Sequence, residues 1–100
     1  MANYIVRFRE APVARHAGAA RGTLDLKATV SYAAYLGERQ AGTLTTMREA
    51  LGRALLPRFQ YRYALNGMSV RLTPIEAERI AKLPEVLSVK SVRRYAPSVT

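Results

Sequence analysis

The sequence predicts an α+β fold, with four antiparallel strands in one sheet and two helices on one of its faces. Three observations predict it. Tyr4 to Arg9 and Arg58 to Tyr63 alternate large apolar with polar or basic side chains, the period of a half-buried strand. Tyr32, Leu36, Gln40, Leu44, Met47 and Leu51 recur at intervals of three or four, which places one stripe along a helix. Thr73-Pro74-Ile75-Glu76 reads as a helix start, with a capping threonine, proline at the first helical position and glutamate completing a capping box.

Taken in order, the first strand runs from Tyr4 to Arg9, with Tyr4, Val6 and Phe8 on one face. Residues 10–27 are rich in Ala, Gly and Arg and read as a long loop with room for one helical turn. The striped helix spans about 29–52. Gly37 and Gly42 weaken it without shifting the stripe, and Gly52 suits its stop. A second strand over 58–63 leads to Asn66-Gly67, a strong two-residue hairpin signal, and then to a third strand, Met68 to Leu72. The capped helix turns Ala77, Ile80 and Ala81 inward and ends near Leu83-Pro84. Val86 to Val92 is a fourth strand, and residues of about 93–100 form an extended tail. The order is βαββαβ, the split or ferredoxin-like arrangement, in a single domain over 1–98.

Composition narrows the function. The chain has 100 residues, no Cys and no Trp, and 16 Lys+Arg against 7 Asp+Glu, a net charge of +9. Without cysteine there is no disulfide framework, thiol nucleophile or cysteine-bound zinc. His16 and Asp25 are the only residues of their types, and both fall in the long loop, far from any nucleophile elbow. No glycine pattern cradles a phosphate, and Glu76 and Glu78 suit the first turn of a helix. The sequence therefore assigns no catalytic residue, no metal site and no cofactor. No apolar run spans a bilayer, so no membrane partner is expected.

Alternation also assigns the free sheet face. Tyr4, Val6, Phe8, Phe59, Tyr61, Tyr63, Met68, Val70, Leu72, Leu87 and Val89 share the apolar phase and are expected under the helices. The opposite phase holds Ile5, Arg7, Arg9, Gln60, Arg62, Ser69, Arg71, Ser88 and Lys90, a polar face with five cations. Such a face fits a solvated surface or a basic nucleic-acid-binding module, the alternative function. Modules of the second kind stack bases on strand aromatics, which this reading buries. Nucleic acid is not favoured.

The segment Tyr63-Ala64-Leu65-Asn66-Gly67-Met68-Ser69-Val70-Arg71-Leu72-Thr73-Pro74, with the opening Tyr4-Ile5-Val6-Arg7-Phe8 strand and Leu83-Pro84-Glu85-Val86-Leu87-Ser88-Val89, resembles the propeptides of subtilisin-like serine proteases. The family's usual run is YxxALNGFAxxLTPEEAxxLxxLPGVxSV, from which the chain departs at Met68, Ile75 and Glu85 among other positions. The resemblance covers about 3–10 and 58–98, plus a plausible helix over 35–52. It implies a non-enzymatic domain, monomeric on its own, that chaperones folding of a subtilisin-like catalytic domain, in cis or in trans. It implies that the domain then stays as an inhibitor, in a secreted or periplasmic setting with any leader outside this chain.

In that family the free sheet face packs on two protease helices, and the tail lies product-like in the active-site cleft. Carried over, the docking face is Arg7, Arg62, Arg71, Ser88, Lys90 and Ser91. The cleft segment is Tyr95, Ala96, Pro97 and Ser98, with Ser98 before the scissile bond and Tyr95 in a hydrophobic fourth pocket. Many bacterial relatives place acidic residues just after the last strand's Val-x-x-Val, where they cap the protease helices. Lys90, Ser91 and Val92 stand there here, so either the contacts differ or the partner's surface is acidic.

Overall fold

The computed structural model describes residues 1–15 and 26–92. The strands are β1 (Ala2–Phe8), β2 (Phe59–Tyr61), β3 (Gly67–Leu72) and β4 (Val86–Ser91), and the helices are α1 (Leu26–Leu51) and α2 (Pro74–Ala81). The strands form one antiparallel sheet in the order β2-β3-β1-β4, the ferredoxin-like arrangement expected from the pattern.

α1 forms because its apolar stripe has a core to meet. Leu36, Gln40, Leu44 and Met47 are buried, and Tyr32 and Leu51 are half-buried at its ends. Gly52, at φ +68°, ends it in the left-handed conformation that glycine adopts without a Cβ penalty. α2 has the complete capping box: Glu76 N–H donates to Thr73 Oγ1 at 3.1 Å, and Thr73 N–H donates to Glu76 Oε1 at 3.0 Å. Its inner residues are Ala77 and Ile80, whereas Ala81 is exposed.

The main core joins Leu44 and Met47 of α1 and Ala77 and Ile80 of α2 to Val6, Phe8, Met68, Val70, Leu72 and Val86 of the sheet. Register aligns these side chains: Val6 pairs with Met68 on one side and Val89 on the other. Directly paired residues share a face, so this row is the helix-covered one.

The start of the long loop is more ordered than its composition implies. Val13–Arg15 form a 3-10 turn, and Val13 is buried with Ala33 and Leu36 in a second cluster. Val13 and Ala14 N–H donate to the carbonyls of Arg62 and Tyr63 at 2.8 and 2.9 Å. These bonds stop β2 at Tyr61 rather than at Tyr63 as expected, because residues 62 and 63 pair with this turn instead of with β3.

Three expectations are corrected. Asn66-Gly67 is not a two-residue hairpin turn: both residues are buried, and β3 begins at Gly67. Leu87 is not in the core but 48% exposed. Phe8 pairs with Val86 while Arg7 pairs with Ser88, so Leu87 is the extra residue of a bulge and Val86 takes the inward position. The β2 aromatics do not lie under the helices. Gln60 pairs with inward Met68, which turns Phe59 and Tyr61 to the free face, and Tyr63 is exposed beyond the strand end.

Candidate functional site

The free face of the sheet is built from two cross-strand rows. One row runs Lys90, Ile5, Ser69, Phe59, and the next runs Ser88, Arg7, Gly67, Tyr61. Arg71, opposite Asn3 and two residues from Ser69, extends the same phase. Phe59 and Tyr61 stand side by side with ring centroids 6.5 Å apart, and Phe59 is 58% exposed. Leu65 folds back over Gly67, its Cδ1 3.0 Å from where a β-carbon there would sit. A shallow cavity of ≈ 430 Å³ opens between Leu65 and the strands, walled by Ile5, Arg7, Ala64, Leu65, Ser88 and Lys90.

Gly67 allows this arrangement. A β-carbon at that position would fall 2.3 Å from the Val6 carbonyl oxygen, so only glycine lets β3 approach β1. Asn66 holds the strand entrance from the other side. Its Nδ2 donates to the Glu10 carbonyl at 3.0 Å, its Oδ1 accepts from Gln40 Nε2 at 2.9 Å, and its carbonyl accepts from Phe8 N–H at 2.8 Å.

Of the residues expected on the docking face, Arg7, Arg71, Ser88 and Lys90 are there. Arg62 is not. Its guanidinium lies against Gly37 of α1, close enough that a β-carbon on Gly37 would sit 2.8 Å from Nη2. Ser91 pairs with Tyr4, whose row is the helix-covered one, but at the exposed end of β4 it also lines the open-face cavity beside Lys90. Arg9 also leaves the face, because its backbone and Nε donate to the Glu85 and Pro84 carbonyls at 3.0 and 2.8 Å. Three of the five expected cations therefore remain, joined by the apolar Phe59, Tyr61 and Leu65. Tyr95, Ala96, Pro97 and Ser98, the expected cleft segment, lie outside the described residues.

The profile for peptidase inhibitor I9, the subtilisin propeptide family, matches residues 3–95. The chain belongs to that family. Comparison with the curated proteins and with the solved structures returned no match. Membership makes this a protease inhibitor domain of the subtilisin-propeptide type, associating with a subtilisin-like protease and not itself catalytic. No described helix is long and apolar enough to cross a membrane, and no described cluster of His, Cys, Asp and Glu has the makings of a metal site.

Sequence reasoning missed Phe59, Tyr61 and Leu65. Alternation showed that Phe59 and Tyr61 share a face, but their apolar character assigned that face to the core, whereas the choice of face rests on register, which pairs Gln60 with inward Met68. The usable signal was Gly67 itself. Placed as a close-approach glycine within β3, it leaves a longer β2–β3 connection and frees the aromatics from the inward phase.

Proposed function

We propose that this inhibitor domain is a protease propeptide that chaperones the folding of its catalytic domain. It then inhibits that domain with the sheet face as anchor and residues 95–98 as a product-like plug. The match of the inhibitor family over residues 3–95 carries the reading. The free face supports it: an apolar ridge of Ile5, Leu65, Tyr61 and Phe59 flanked by Arg7, Arg71 and Lys90 has the make-up of an interface core with a charged rim. An extended tail pairs through its backbone with cleft strands while alternate side chains fill pockets, a mode in which Pro97 needs no N–H at a non-bonded position. The cations favour a protease surface that is acidic where they land, which would speed association more than it tightens the complex. Secretion with that protease follows from the same reading.

The test is inhibition of the cognate catalytic domain by the full chain and by a chain lacking residues 95–100. We expect slow, tight inhibition from the first and a loss of at least about 100-fold in affinity from the second, which removes every pocket-filling side chain. Equal inhibition by both would refute the plug. A refolding assay of the denatured catalytic domain, with and without the chain, tests the chaperone role separately.

A further inference from the structure

A second concavity lies apart from the sheet face. Between the end of β1, the middle of α1 and the turn before β4 is a cleft of ≈ 240 Å³, walled by Glu10, Arg39, Gln40, Asn66 and Glu85 among others. It shares no residue with the two open-face rows. Three of its walls carry an enclosed oxygen with no hydrogen-bond partner: Glu10 Oε1, Gln40 Oε1 and Glu85 Oε1.

Gln40 decides the reading. It is only 2% exposed, and its Nε2 is committed to the Tyr61 carbonyl at 2.7 Å and Asn66 Oδ1 at 2.9 Å. Flipping the amide would set its oxygen against two acceptors, and Asn66 cannot flip in turn because its Nδ2 serves the Glu10 carbonyl. Gln40 Oε1 is therefore held as a bare buried acceptor, which proteins rarely leave without a donor.

The charges around the cleft define what such a donor must be. Glu10 and Glu85 are offset by Arg39, whose Nε is 3.5 Å from Glu10 Oε2, and by Arg9, tied to the Pro84 carbonyl. The carboxylates exclude an anion, and two neighbouring guanidinium groups disfavour a divalent cation. What fits is a small monocation rich in donors and without acceptors. An –NH3⁺ group has three N–H donors, one for each oxygen.

We propose that this cleft binds a primary ammonium group, with Glu10, Gln40 and Glu85 each accepting one N–H. Entry requires rotation of the outer torsion of Glu85, which is broad and of low cost, because Glu10 Oε2 is held in place by the Tyr35 hydroxyl and Arg39 Nε. The ammonium has two sources of identical chemistry, a free alkylamine or a lysine side chain of a protein partner. The site stands whether or not the tail is the inhibitory plug.

The experiment is an NMR titration of the full chain that follows the Gln40 side-chain amide. The probes are n-butylammonium, an acetylated and amidated lysine tripeptide, tetramethylammonium and Ca2+. We expect saturable shifts with butylammonium at millimolar affinity, none with tetramethylammonium, which has charge but no N–H, and none with Ca2+. Glu85→Gln, a change in a turn, should weaken butylammonium at least about fivefold by removing a charge-assisted bond. Binding of the tripeptide as well assigns the site to lysine side chains, and binding of butylammonium alone assigns it to small amines. Response to tetramethylammonium or Ca2+ equal to that of butylammonium, indifference to Glu85→Gln, or no response to any amine overturns the proposal.

Discussion

Gly67 and Glu76 show how single residues carry this fold. Gly67 stands where β1 and β3 come closest, and a methyl group would collide with backbone rather than with a side chain that can move aside. Gly67→Ala is therefore expected to cost about 3 kcal/mol or more, read as a lower urea midpoint with an unchanged slope. Glu76 closes the α2 capping box and takes a two-pronged ion pair from Arg53, with Nε to Oε2 at 2.7 Å and Nη2 to Oε1 at 2.8 Å. The Arg53 hydrogen bonds, then the Thr73 N–H, hold its carboxyl down from 4.5 to about 2. A carboxyl acidified by folding adds stability that is fully present above its unfolded pKa and drains away as pH falls towards 2. Glu76→Gln should cost about 1–2 kcal/mol at neutral pH. It should also flatten the loss of thermal stability between about pH 4.5 and 2, measured by calorimetry across that window.

The elements differ in how far their own residues decided them. α1 and α2 were legible because stripe, stop and cap are local signals, and both helices fall within three residues of the expected bounds. Within α1 the two glycines are not equivalent. Gly37 receives the Arg62 guanidinium, whereas a β-carbon on Gly42 would meet nothing within 4 Å. Gly42→Ala is thus expected to stabilise the domain by about 0.5–1 kcal/mol, raising Tm by several degrees. β2 was the least legible element. It is a three-residue edge strand whose alternation is the same whichever face is inward, so its aromatics were placed on the wrong side. β4 carries a smaller error of the same kind. Its bulge at Leu87 shifts the inward phase by one residue, and nothing in Val86-Leu87-Ser88-Val89 shows which of the first two is extra.

For the whole molecule the consequence is a changed free sheet face. Alternation expects five of the 16 Lys and Arg side chains on the free face, but Arg9 and Arg62 are used to tie the turn before β4 and to cover α1. The face that remains is mixed, with an apolar ridge and Arg7, Arg71 and Lys90 around it. On the proposed inhibitory reading the two parts separate in kinetics. Phe59→Ala with Tyr61→Ala should accelerate dissociation from the protease at least about tenfold while leaving unfolding within about 1 kcal/mol, because both rings face outward. Arg7→Glu with Lys90→Glu should instead slow association and reverse its dependence on salt, both readable by stopped-flow inhibition. The same exposed rings remove one ground on which a nucleic-acid role had been set aside, and family membership now argues for a protease partner in its place.

The split between chain and fold is clear in the Asn66-Gly67 pair. Which segments are helices and strands, their order and the family follow from periodicity, caps and motif, all of which act over a few neighbouring residues. Whether Asn66 turns the chain or ties Gln40 to the Glu10 carbonyl depends on groups 26 and 56 residues away. So does the side of the sheet that Phe59 faces, since it follows from a register pinned by Gly67 against the Val6 carbonyl. Alternation is symmetric under exchange of the two faces, and only packing against a distant strand breaks that symmetry.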